Sequence, residues 1–536
     1  MRRLGALLLA VCPAVGGCGA FAASTRRPTA ELPAGAALLP ARTRRLTNWE
    51  LERSLAAFTG LDVTIAQELP PDVRQEGYTP NVAQDVSTAW ATRYSALVQQ
   101  LAVKAAARLP GRERCRDLGP DCRARRVVEL GEFAFRRPLE AEEQRSLEAL
   151  VSEAANAGEG FEGAMSELLQ TLFESPSFIY VSELGEATAA GTRRLTNDEL
   201  ASELSFMLTG APPDAELRAA AAQGALDEPA ARAQQAWRLL GLSSTRYQFR
   251  HFALQWLEVD RLLDTAKSSQ LFPTYDALKP YMLAETENYV DEVLVHRGAS
   301  VQALLAGGFA SVGPEMARFY GLKTYGPRAS LAGSGRLGVL QQASFLAAHA
   351  HEDVTSPVKR GDFVMRKLLC EKVKRPAEIG LEVVMPPPSA TLSNRARLSQ
   401  HIADPGCASC HSTLDAIGFT FESFDAAGAA QTSDHGHAID TRTQVRLGQQ
   451  ATEVQSLASS EALTRALLEN PQIDKVSECF ARHAFRYFSA QADPRVEETF
   501  VALRAELDES ERDNLFRVLV AYVASDLFVL REVKGT

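Results

Sequence analysis

The segment Thr43-Arg44-Arg45-Leu46-Thr47-Asn48-Trp49-Glu50-Leu51 returns, nearly letter for letter, as Thr192-Arg193-Arg194-Leu195-Thr196-Asn197-Asp198-Glu199-Leu200. In each copy a threonine stands three residues before a glutamate. That is the capping-box pattern: the hydroxyl accepts from a free N–H of the first turn, and the glutamate reaches back to the threonine's own N–H. A chain carrying this signal twice is committed to starting a helix at both places, so helix initiation explains the repeat and no ligand is needed. The rest of the chain agrees. Residues 122–155 hold two helical stretches parted at Arg137-Pro138. Residues 245–257 set Phe249, Phe252, Ala253, Trp256 and Leu257 at helical spacing, and 278–295, 479–488 and 509–525 read as helices. Glu285, Glu287, Asp291 and Glu292 read as a solvated face of the 278–295 helix, with catalytic carboxylates the alternative. Short strand-like pieces occur only near 438–439 and 444–447, and Pro386-Pro387-Pro388 excludes a helix across 381–393. The fold class is all-α: a multi-module helical protein with an irregular, loop-rich segment around residues 380–450.

The N-terminus points outward from the cytoplasm. Met1-Arg2-Arg3 and the apolar stretch that follows have the charge and length of an export signal and are too short for a spanning helix. Val15-Gly16-Gly17-Cys18 resembles a lipobox, which makes Cys18 the lipidation site, while Ala20-Phe21-Ala22 offers ordinary secretory cleavage instead. A lipidated end anchors a protein to a membrane without spanning it. Residues 19–42 read as a Pro/Ala-rich tether. The modules beyond it run over residues 43–114, 115–187, 188–330, 331–450 and 451–536. With 57 basic residues against 67 acidic ones, the chain lacks the basic surface that general nucleic-acid binding demands.

Export makes disulfides chemically available. Cys115 and Cys122 flank the turn-forming Leu118-Gly119-Pro120 and are expected to pair. Cys370 and Cys479 are expected to form a long-range bridge, with buried free thiols the alternative. Cys12 leaves with the signal.

Cys407-Ala408-Ser409-Cys410-His411 has the spacing that attaches c-type haem: two thiols placed for thioether bonds and an adjacent histidine for the iron. From this composition about 0.002 such matches are expected by chance. One covalent haem c is therefore expected on Cys407 and Cys410, with His411 as proximal ligand. A zinc site completed by His435 and His437, or a plain dithiol pair, are the competing readings. For the sixth iron position the chain offers His351 or Met385, with His349 beside them; Phe419, Phe421 and Phe424 are expected to wall the porphyrin.

Downstream of this motif, Leu414-Asp415-Ala416-Ile417-Gly418-Phe419-Thr420-Phe421-Glu422-Ser423-Phe424-Asp425 resembles a pattern of an exported bacterial family with a cytochrome-like cassette. Gly338-Val339-Leu340-Gln341-Gln342-Ala343-Ser344-Phe345-Leu346 and Thr355-Ser356-Pro357-Val358-Lys359-Arg360-Gly361 resemble the same module. Ala134-Phe135-Arg136-Arg137-Pro138-Leu139 and Phe252-Ala253-Leu254-Gln255-Trp256-Leu257 resemble two others. The family is the multi-module set of domains of unknown function 1587, 1595, 1592, 1588 and 1585. Leu414 and Ala416 depart from it, standing where methionine and proline are usual. The resemblance and the haem motif together imply a lipid-anchored, monohaem, cytochrome-like protein of the cell envelope. It would transfer electrons with an unknown redox partner or carry out haem-based redox chemistry as an oxidoreductase. A surface scaffold or polysaccharide-binding lipoprotein is the alternative. The chain carries no Ser-His-Asp ordering, phosphate loop or H-E-x-x-H motif to anchor a hydrolase reading.

Overall fold

The computed structural model describes residues 36–109, 115, 118–373, 389, 391–399, 405–448 and 451–533. Both repeat copies start helices as their capping boxes require. Thr47 caps the helix Asn48–Thr59: its hydroxyl accepts from Glu50 N–H at 3.1 Å, and Glu50 Oε2 accepts from Thr47 N–H at 2.8 Å. Thr196 caps Asn197–Thr209 in the same way, at 3.3 and 2.9 Å. Each helix ends on a glycine in the left-handed region, Gly60 at φ 66° and Gly210 at φ 63°, where a side chain would be strained.

The likeness between the copies extends into tertiary structure. Their arginines lie in short strands, Arg42–Arg45 and Arg193–Arg194. The first pairs antiparallel with Tyr180–Glu183 and the second with Leu530–Arg531. Both partner strands directly follow a one-turn helix, Pro176–Ile179 or Asp526–Val529. Leu46 N–H donates to the Ile179 carbonyl at 2.9 Å, and Leu195 N–H to the Val529 carbonyl at 3.0 Å. Ser175-Pro176-Ser177-Phe178-Ile179 and Ser525-Asp526-Leu527-Phe528-Val529 are thus a second repeated element, the closing half of each bracket. Sequence reading found only the opening half.

Helices dominate, and every strand is two to five residues long. Among the described residues the buried apolar side chains gather into two large cores and a smaller one. The first runs from Leu46 to Val181, joined by Phe206, and includes Trp90, Tyr94 and Phe173. The second draws mainly on residues from Leu195 to Val529, joined by Leu39 and Tyr78, and includes Trp256, Phe363, Phe421 and Tyr522. The smaller core, around Met282, Met316 and Tyr320, leans on Ala343 and Ala347. Residues of successive sequence modules therefore pack into shared cores. Among the described residues no helix is long and apolar enough to cross a membrane.

Two helical expectations need correction. The 509–525 stretch is split into Glu509–Arg512 and Leu515–Ala524, because the Asn514 side chain turns back to accept from Phe516 and Arg517 N–H and starts a new helix. On the helix Tyr275–Arg297, Asp291 and Glu292 do pair at the surface with Arg250 and Arg328. Glu285 does not belong to that face. It is buried, accepts a 2.6 Å hydrogen bond from the Tyr320 hydroxyl, and burial pushes its pKa up to about 7.

Candidate cofactor-attachment site

Cys407, Cys410 and His411 lie in the first turns of the helix Pro405–Phe419, which begins on a proline whose fixed φ suits a first helical position. Positions 407, 410 and 411 are spaced i, i+3, i+4, so the helix brings them to one face. The side chains of Cys407 and Cys410 lie outside the described structure. His411 is described: its Nδ1 lies 3.0 Å from Asp415 Oδ1, one turn onward, and the Asp415 side chain is fully buried. Asp415 Oδ2 is also buried and, among the described residues, has no hydrogen-bond partner. The tautomer that donates Nδ1–H to this carboxylate keeps the lone pair on Nε2, the arrangement in which a second-shell acid orients a metal-bound histidine. The donor set and its orienting partner fit a histidine-ligated haem.

This motif helix is clamped by the short helix Pro357–Phe363, which Ser356 caps by accepting from Lys359 N–H at 3.3 Å. The two run in opposite directions at backbone contact. A Cβ on Gly361 would stand 2.0 Å from the Leu414 carbonyl oxygen, and one on Gly418 2.0 Å from that of Pro357. Only glycine permits that approach. The chain then widens into a π-helical turn, Val364–Leu368.

Arg360, fully buried between the two glycine contacts, donates to the carbonyls of Phe421 and Asp425 at 3.1 Å, Phe424 at 3.3 Å and Leu346 at 3.1 Å. Burial pulls its pKa down to about 10. Its charge faces Glu422 at 3.6 Å. Burial pushes Glu422 up, and the Thr355 hydroxyl (2.8 Å) and Asn394 amide (3.4 Å) donate to it. Asp425 closes the turn by accepting from Ala427 and Ala429 N–H. The Thr-Ser-Pro-x-x-Arg-Gly and Ile-Gly-Phe-x-Phe-Glu-x-Phe-Asp stretches are thus two halves of one packing unit that holds the motif helix.

The remaining site expectations fall out unevenly. Phe421 and Phe424 are enclosed by protein, Phe421 against Phe345 and Phe424 beneath the Arg336 guanidinium, and Phe419 lies under Arg395. They line the protein core where the chain turns after the helix. His349 is buried and stacked on Phe345 at 4.3 Å. Its Nδ1 lies 3.0 Å from the Phe345 carbonyl, and its Nε2 faces Glu258 at 3.4 Å. His351 is exposed. Partial burial, Lys359, Lys267 and Arg397 hold its pKa below the usual imidazole value, and its carbonyl accepts from Lys267 Nζ at 2.6 Å. His435 Nδ1 sits 2.7 Å from Asp434, and His437 Nε2 2.8 Å from the Thr391 carbonyl. Cys115 and Cys122 are disulfide-bonded with Cα atoms 5.7 Å apart, as are Cys370 and Cys479 at 5.4 Å. Cys18 and Met385 lie outside the described residues, as do residues 381–388 of the proline-rich segment.

Sequence reading missed Asp415, although its i+4 spacing from His411 was the signal that could have found it. It also missed what Arg360, Gly361 and Gly418 do, because their partners lie on another element.

Four family models match in chain order, each a protein of unknown function: DUF1587 over residues 44–107, DUF1595 over 122–183, DUF1592 over 195–322, and DUF1588, named PSCyt3, over 336–434. Together they span about two thirds of the chain. The last takes in the cysteine pair, His411, Asp415 and the whole packing unit around Arg360. No curated protein and no solved structure matches the chain.

Proposed function

This chain belongs to the cytochrome c-like multi-module family of DUF1587, DUF1595, DUF1592 and DUF1588, and from that premise we propose that it is an exported, lipid-anchored monohaem protein of the cell envelope. The observation that carries the reading is the Cys-x-x-Cys-His set at the start of one helix, with His411 already oriented by Asp415. Cys407 and Cys410 would hold the porphyrin through thioether bonds, and His411 would ligate the iron. A haem held there supplies reversible one-electron chemistry to a redox partner.

The residues around the motif supply rigidity. The glycine contacts fix the motif helix to Pro357–Phe363, and Arg360 ties both to the turn at 421–425, so the ligand sits on packed helices. His351 is the stronger described choice for the sixth position: it is exposed, and partial burial with Lys359, Lys267 and Arg397 nearby favours the neutral imidazole that binds metals. Met385 is the other. Lipidation at Cys18 would tether the protein to its membrane.

Intact mass of the mature protein from a host able to attach haem tests all of this together. One haem, a removed signal and an acylated Cys18 are expected, and Cys407→Ser with Cys410→Ser abolishes the Soret band. A colourless protein that binds glycans tightly would instead support the scaffold reading.

A further inference from the structure

We infer that Asp415 is a positioning residue that sets how strongly His411 donates electrons to the group it ligates; this rests on the haem reading above. Three features of Asp415 carry it. Its Oδ1 lies 3.0 Å from His411 Nδ1, at i+4 on the same helix, so the helix itself enforces the contact. Its side chain has no exposed surface, so its charge acts on the imidazole through protein and not through water. Among the described residues its second oxygen has no hydrogen-bond partner that would draw charge away from the contact.

A proximal histidine must place its ring N–H somewhere. A backbone carbonyl offers a neutral dipole, whereas a carboxylate offers negative charge. A carboxylate pulls on the Nδ1 proton and raises the basicity of Nε2. A more basic ligand favours the oxidised, more positive iron, so the couple moves to lower potential. A buried carboxylate is also a costly choice for a helix position as buried as its neighbours Leu414 and Ile417, where an apolar side chain would cost nothing to bury. A purely structural role for Asp415 would leave the potential where a neutral acceptor leaves it.

The test is a spectroelectrochemical titration of the full-length, haem-loaded protein beside Asp415→Asn, which keeps the shape and removes the charge. The midpoint is expected to rise by about 59 mV or more, a tenfold change in the ratio of oxidised to reduced protein at fixed potential for one electron. Asp415→Glu is expected to stay nearer the unsubstituted value. A haem-bearing Asp415→Asn with an unmoved midpoint overturns the inference and leaves the haem reading intact, while a protein that acquires no haem overturns both. Should Asp415→Asn not accumulate, resonance Raman of the unsubstituted reduced protein decides after photolysis of bound carbon monoxide. An Fe–His band above that of haem ligated by imidazole in water supports the inference, and one no higher overturns it.

Discussion

Arg531 and Glu183, 348 residues apart in sequence, meet at 2.7 Å with no exposed surface on either side chain. Glu183 belongs to the strand that closes the first bracket, and Arg531 to the strand that closes the second. Arg42 grips the same carboxylate from the opening strand at 2.9 Å and spends its remaining donors on the Ser489 and Ala490 carbonyls. The two helical brackets are thus joined through one buried acid. The opposed arginines overcome the cost of burial and hold its pKa down at about 2.

Breaking that joint is therefore expected to be expensive. Arg531→Met leaves Glu183 with half its compensation, and removing one partner of a buried pair typically costs about 3–5 kcal/mol. Urea denaturation measures it, with a fall in midpoint at unchanged slope expected. A loss under about 0.5 kcal/mol would show that the joint contributes nothing.

Alanine normally stabilises an exposed helix by about 1 kcal/mol over glycine. At Gly361 and Gly418 the sign should reverse, since the new methyl meets a backbone oxygen at 2.0 Å and no rotamer relieves it. Each variant is expected to lower the melting temperature and to lose haem from the loaded protein. A Gly361→Ala variant as stable as the parent would disprove the close contact.

Glu285 makes stability depend on pH in a direction unusual for an acid. Its carboxyl titrates near 7 when folded, pushed up by burial and only partly restrained by the Tyr320 hydrogen bond, against an ordinary value of 4.5. Between those values the folded state holds a proton that the unfolded state has lost. This contribution is therefore fully present below about pH 4.5 and falls away as pH rises through 7. Glu285→Gln removes the titration. Its stability relative to the parent should improve between pH 5 and pH 8 by on the order of 3 kcal/mol. Parallel stability curves for the two proteins would refute this.

The two disulfides should differ in worth because they close loops of different length. The Cys370–Cys479 bridge spans 109 residues and Cys115–Cys122 only 7. Loop-closure entropy assigns about 5 kcal/mol to the first and about 2–3 kcal/mol to the second. Paired cysteine-to-alanine variants, melted with and without reductant, should rank in that order.

What could be read from the sequence shares one property: each feature is complete within a few residues. A threonine and a glutamate three apart define a helix start whatever surrounds them, and Thr47 and Thr196 behave identically in two different cores. The spacing of Cys407, Cys410 and His411 carries the proposed haem attachment in five letters, and helical periodicity identifies which faces are apolar. That same periodicity cannot say which other face an apolar stripe will meet, since most apolar faces suit one another about equally well. Tertiary structure alone therefore decided that successive modules share cores and that Ile179 and Val529 receive the two repeated leucines. It also took Glu285 out of solvent and seated Phe421 and Phe424 in the core. The glycines at 361 and 418 make the point most plainly. Nothing near them in the chain calls for glycine, and the carbonyl that forbids a side chain arrives from a helix more than fifty residues away.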